Sequence, residues 1–180
     1  MKHLFLLILT CATTLAWGQR PQKAAQQLGA NPIYFVDSVE VSQAALQDYA
    51  PERIATLTIY KDAEATRLVG ARGKDGVVYI ETKLFDTRHY RRYFARKSAA
   101  YAQLVATGIA ETSIQYVLNG RLLTTNYEGD LASIDDQLFQ GLAVLDQAAL
   151  QQRYPGNLAT YGVILTSRTP KNLYHGKRKF

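Results

Sequence analysis

PIYFVDS (32–38), IATLTIYKD (54–62) and GARGKDGVVYIETK (70–83) follow one another in the first half of the chain, and the same plan returns as IQYVLNG (114–120), FQGLAVLD (139–146) and YGVILTSR (161–168). Tyr34 pairs with Tyr116 and Asp37 with Asn119 at an offset of 82. Leu46, Tyr49, Ile54, Leu57 and Ile59 pair with Leu131, Ile134, Phe139, Leu142 and Val144 at 85, and Gly70, Gly76 and Val77 with Gly156, Gly162 and Val163 at 86. Small drifts of this kind are what loop insertions leave behind. An ordered repeat of apolar blocks, glycines and a strand-end Asp/Asn indicates a duplicated structural unit.

Each copy reads β-α-β-α-β. Ile33–Val41 has strand composition, with a turn or bulge at Asp37-Ser38. Ser42 is a suitable N-cap for a short helix to about Tyr49, which Pro51 stops. In 55–60, Leu57 and Ile59 alternate with Thr56, Thr58 and Tyr60, the period of a strand. Asp62 is placed to cap a helix over 63–69 that ends at Gly70, and 77–82 is a β-branched, aromatic strand. Between the copies, Tyr90, Phe94, Tyr101 and Val105 recur at helical spacing and predict one amphipathic helix over 85–107, closed by Gly108. The expected fold is therefore α+β: unit 1 (32–84), a helical connector (85–113) and a diverged unit 2 (114–170), that is, two tandem β-α-β-α-β units joined by an amphipathic helix.

The flanks carry other information. Lys2 and His3, the apolar run Leu4–Ala16 and the small-x-small step Ala16-Trp17-Gly18 have the layout of a secretory signal peptide over 1–18. The run is about 13 residues and a membrane span needs about 20, so export is expected without an integral membrane segment in the mature chain. A lipoprotein reading would modify Cys11, but Thr10 stands where a smaller residue is expected. The chain has one cysteine. Cleavage before Gln19 would leave none, excluding a disulfide framework and a thiol nucleophile. A leader over 19–31 and a basic tail over 171–180 complete the division.

The 180 residues carry a net charge of +6, and the excess is local. Arg88, Arg91, Arg92, Arg96 and Lys97 form one cluster and are the candidate partner surface; Lys171, Lys177, Arg178 and Lys179 form another. Such patches attract acidic proteins, anionic lipid or nucleic acid.

Motifs for chemistry are weak. In the loop 70–76, Gly73-Lys74 leads to Asp75 and a strand, whereas a phosphate-binding P-loop needs Gly-Lys-Ser/Thr opening a helix. The Gly70-Ala71-Arg72-Gly73 step matches the nucleotide-gripping loop of a KH domain locally, but that loop also precedes a helix. A turn is the expected role, and no nucleic-acid partner. His89 and His175 lack neighbours at metal-ligand spacing, Asp135-Asp136 reads as a solvated helix end, and Ser38 and Ser167 have no base nearby in sequence. No catalytic, cofactor-binding or metal-binding residue is expected.

The first unit resembles the plug domain of TonB-dependent outer-membrane receptors, especially the SusC-like branch of the Bacteroidetes. The matching segments are Pro32–Ser38, Thr58–Asp62, Ala63–Gly70 with Ala71-Arg72-Gly73, and Gly76–Lys83. Ser38, Val69 and Glu81 depart from the family's usual Gly, Tyr and Thr. The resemblance implies a plug-like fold and a location in the periplasm or at the outer-membrane periphery. Only 97 residues follow Lys83, so neither a receptor barrel nor energised transport is expected. The expectation is a non-enzymatic binding or assembly module, with a receptor barrel, a related plug or a second copy of itself as partner. The alternatives are a hydrolase whose site only the fold assembles, and a polyanion-binding protein using the basic connector.

Overall fold

The computed structural model describes residues 28–168. The expected signal peptide, most of the leader, the basic tail and His175 lie outside the described residues. Two four-stranded sheets of the same topology carry the fold. The first contains β1 (Ile33–Val36), β2 (Val39–Val41), β3 (Ile54–Tyr60) and β4 (Val77–Thr82) in the order β2-β1-β4-β3. The second contains β5 (Ile114–Leu118), β6 (Arg121–Leu122), β7 (Phe139–Asp146) and β8 (Tyr161–Ser167) in the order β6-β5-β8-β7. In both, the central pair is parallel and the outer pairs are antiparallel. The duplication and the α+β class are both present in the strand order.

The expected β-α-β-α-β unit gains a strand at the turn expected at Asp37-Ser38. Ile33–Val41 is two strands, because Asp37 and Ser38 both take positive φ (50° and 71°) and fold the segment into a hairpin. Asn119 and Gly120 (51° and 84°) do the same in the second unit. Positive φ at both central residues is the signature of a two-residue type I′ turn, whose twist matches its flanking strands. The following short helix is a 3-10 turn over Ala44–Asp48 in unit 1, with Ser42 Oγ accepting from the Ala45 N–H at 3.2 Å. In unit 2 its counterpart is the α-helix Glu128–Ala132.

Register settles which residues are equivalent. Leu57 faces Ile80 in the first sheet and Leu142 faces Leu165 in the second. The offset is thus 85 on both strands, and Gly162 corresponds to Val77, not to Gly76 as the glycine spacing suggested. Each outer strand also has its register irregularity at the same place, between Ile54 and Thr56 and between Phe139 and Gly141. A one-residue slip would turn every side chain to the other face, so hydrogen-bonding register outranks a matched glycine.

The remaining helices are α1 (Asp62–Val69), α2 (Lys83–Lys97), α3 (Ala99–Ala106), α4 (Glu128–Ala132, the helix already met in unit 2) and α5 (Gln147–Arg153). Asp62 is the first residue of α1 and not its cap; Lys61 holds that position. The connector is two helices, not one. Ser98 is extended (φ −143°, ψ 117°), and its Oγ accepts from the Tyr101 N–H at 3.3 Å to start α3 afresh. The expected stripe is buried: Tyr90, Phe94 and Tyr101 are sealed and Val105 is half-buried. Its rings pack at 5.6–6.3 Å against one another and against Tyr116 and Phe139 of the second sheet. Together with Ile114, Val163, Leu165, Leu131 and Ile134 they form the larger core. The first sheet has a smaller one, centred on Tyr34, Val36, Val78 and Ile80 and joined by Leu28, Leu46 and Leu57. The end of the leader is therefore part of the fold: Leu28 packs on this core and the Gly29 N–H donates to Asp75 O at 2.8 Å.

Candidate partner surface

The basic cluster lies on α2, so what fixes α2 fixes the surface. Thr82, the last residue of β4, is its N-cap; Thr82 Oγ1 accepts from the Phe85 N–H at 3.2 Å. The hairpin turn holds this cap. Asp37 accepts from the Thr82 N–H and from the Thr82 hydroxyl, both at 2.7 Å. Asn119 makes the matching bond to the Ser167 N–H (2.9 Å) and also donates to Ser167 O. The Asp/Asn of the repeat thus ties the hairpin to the end of the central strand in both units. In unit 1 it also sets where the basic helix begins.

The five basic residues separate into two kinds. Arg91 is half-buried, with Nη1 3.2 Å from Glu111 Oε2, an ion pair without an aligned hydrogen bond, and Nη2 donating to Ile109 O at 3.1 Å. Tyr90 donates to the other oxygen of Glu111. Burial first, and the Glu111 charge second, hold the Tyr90 hydroxyl well above the ordinary phenol range. Arg91 is therefore a structural residue that pins the loop after α3. Lys97 is bonded to Asp136 at 2.7 Å. Arg88, Arg92 and Arg96 remain exposed; at steps of four they form a stripe along α2, continued by Leu84, which is 59% exposed. Arg96 lies over the Tyr93 ring at 5.7 Å and Lys97 at 5.4 Å, distances at which a cation is attracted to the ring face.

Beside the stripe is an open cleft of about 560 Å³ lined by His89, Tyr93, Arg96, Lys97, Asp135 and Asp136, among others. Tyr93 donates to Asp136 at 2.9 Å. Hydrogen bonds from Lys97 and then Tyr93 hold the Asp136 carboxyl below its usual range, while burial and that same bond push Tyr93 up to about 12. Asp135 accepts from the Gln137 and Leu138 N–H groups at 2.9 and 3.0 Å. The two aspartates are exposed, as expected, but they anchor the loop ahead of β7 instead of ending a helix, which stops at Ala132.

Elsewhere the sequence candidates have structural work. Loop 70–76 is a 3-10 turn leading into β4; Gly73 lies against Ala65 O, Arg72 pairs with Glu40, and Asp75 holds the leader through the Gly29 and Asn31 N–H groups. Ser38 is bonded to the Tyr79 hydroxyl, and Ser167 Oγ donates to Arg168 O at 2.8 Å. Among the described residues no three His, Cys, Asp or Glu side chains are placed to hold a metal ion, and no helix is long and apolar enough to cross a membrane. Sequence reading passed over Asp86 and Glu111. Asp86 had a usable signal, since it lies four residues before Tyr90 and eight before Phe94, on the buried face. Glu111 had none, because its partners Tyr90 and Arg91 come from a distant helix.

No family model, curated protein or solved structure matches the chain.

Proposed function

We propose that this protein is an exported, non-enzymatic binding or assembly module of the cell envelope, related to TonB-dependent receptor plugs, and that it engages an acidic protein surface through α2. The observation that carries the reading is the stripe Leu84–Arg88–Arg92–Arg96. Three guanidinium groups stand exposed on a helix whose opposite face is locked into an aromatic core. Such a helix presents its charges in a fixed geometry, and arginine suits carboxylate recognition because its planar fork binds bidentately. The cap at Thr82 and the pin at Arg91 hold both the start and the middle of that helix.

The test is capture from envelope extracts by tagged protein, repeated with Arg88→Ala, Arg92→Ala and Arg96→Ala combined. A partner recovered by the parent chain and lost by the variant, with melting within about 0.5 kcal/mol of the parent, is the expected result. Equal recovery by both would end the assignment to α2. Recovery of lipid or nucleic acid in place of protein, with a steep loss in salt, would favour the polyanion reading.

A further inference from the structure

Where α2 meets β3 of unit 1 and α4 of unit 2, the acidic side chains Asp86 and Glu128 are buried or partly buried with no ion pair among the described residues. Asp86, in the first turn of α2, is 1% exposed. Thr56 Oγ1, just past the irregularity in β3, donates to its Oδ2 at 3.4 Å. Gly129 of α4 packs directly on Thr56 Oγ1, and a Cβ there would lie 3.5 Å from Ala55 O and 3.6 Å from Asp86 Oδ2. The adjacent Glu128 has its Oε2 buried with no hydrogen-bond partner among the described residues. The charged groups around Asp86 are Glu81 on β4, Asp37 in the first hairpin and Glu128 on α4. Of the nearby bases, Lys83 Nζ donates to Asn126 Oδ1 at 2.7 Å and Arg121 is paired with Asp130 of α4, while His89, on α2 beside the cluster, opposes by its charge the rise that burial imposes on Glu81.

We propose that this seam is a proton-operated clasp, in which neutral Asp86 lets α4 of unit 2 close on the β3 irregularity of unit 1, and ionised Asp86, beside Glu81, Glu128 and Asp37, loosens that contact. Burial is the first cause and the charge of Glu81 the second; together they push the Asp86 carboxyl from 3.8 up to about 6, against the opposing Thr56 hydrogen bond. A carboxyl with a raised value in the closed form binds a proton that the open form has already released. The clasp is therefore tightest below about 4 and weakens as pH rises to about 6, above which the loss is complete. Because Asp86 sits in the first turn of α2, opening would also free the end of the helix that carries Leu84 and Arg88. The clasp itself does not depend on what binds there.

Two readouts test it. The carboxyl carbon of Asp86, assigned by its absence from Asp86→Asn, should titrate near 6. Backbone hydrogen exchange, corrected for intrinsic rate, should show residues 54–60 and 127–134 opening about tenfold or more often at pH 7.5 than at pH 4.5, one pH unit of displaced titration being worth tenfold. Asp86→Asn should hold both segments equally protected at the two pH values. Glu128→Gln should lower the Asp86 midpoint, and Thr56→Val, which removes a donor to the charged form, should raise it. An Asp86 midpoint below 4.5, equal protection of the parent chain at both pH values, or the same loss in Asp86→Asn would each overturn the clasp.

Discussion

Unit 1 and unit 2 share a backbone plan and solve it with different side chains. At the site where the helix after the outer strand meets the sheet, unit 1 has Ala65 and Val77, both fully buried. The equivalent positions of unit 2 hold Leu150, also fully buried, and Gly162. A Cβ on Gly162 would come within 2.7 Å of Leu150 Cδ1. Volume has been exchanged between strand and helix at nearly constant total, the kind of change a packed core tolerates best. On the opposite face the units diverge further. Leu46 and Tyr49, in and just after a 3-10 turn, are half-buried, whereas Leu131 and Ile134, in and just after α4, are sealed in one core with Tyr90, Phe94 and Tyr101 of α2 and α3. Conserved hydrogen-bonding register with traded volumes shows that topology is held by backbone pairing and by the Asp37/Asn119 ties. Which unit owns the main core was decided by where the connector docked.

The largest expected effect follows from that docking. Phe94→Ala removes a fully buried ring from the core of unit 2 and should cost on the order of 3–5 kcal/mol in urea unfolding. Hydrogen exchange should show the loss in the second sheet before the first. Equal loss of protection in both sheets would mean that the connector serves the two units alike.

A smaller effect tests the volume exchange. Gly162→Val should cost about 1–3 kcal/mol by overpacking, and Leu150→Ala about 2–5 kcal/mol through the cavity it leaves. Combined, they recreate the pair found in unit 1. The double variant should be more stable than the sum of the two changes by about 0.5–3 kcal/mol, the range for contacting residues. Strict additivity would show that the two positions do not share one space.

The smallest effect lies in the hairpins. Ser38 occupies φ 71° where unit 2 has Gly120. A non-glycine residue in that region is strained by about 1–2 kcal/mol, and here the hydroxyl recovers part of the cost through Tyr79. Ser38→Gly should raise stability by up to about 1 kcal/mol, read as a shift in thermal midpoint. A loss would show that the bond to Tyr79 outweighs the backbone strain.

Element type and order were legible wherever the pattern was local. Alternation marked β3 and β-branched and aromatic composition marked β4, Gly70 ends α1 at φ 67° as its position suggested, and the period through Tyr90, Phe94 and Tyr101 named the buried face of the connector. What failed was long-range or involved one residue of slip. The turn at Asp37-Ser38 was legible, but its positive φ at Ser38 and the pairing of Val39–Val41 back onto β1 were not, and the break at Ser98 looks like an ordinary helix position. Aligning Gly76 with Gly162 was reasonable from composition and wrong by one residue.

The sequence by itself determined the duplication, the α+β class, most strands of each copy, and the cluster Arg88, Arg91, Arg92, Arg96 and Lys97, because these rest on residue types and spacings written along the chain. Only the tertiary structure decided that Arg91 pins Glu111 and Lys97 binds Asp136 while Arg88, Arg92 and Arg96 stay exposed, and that Asp86 is sealed against Thr56 and Gly129 at a seam between units. The physical reason is that a side chain's charge and strain depend on what the fold brings within a few ångströms of it, and those neighbours come from segments about 20–45 positions away in the chain.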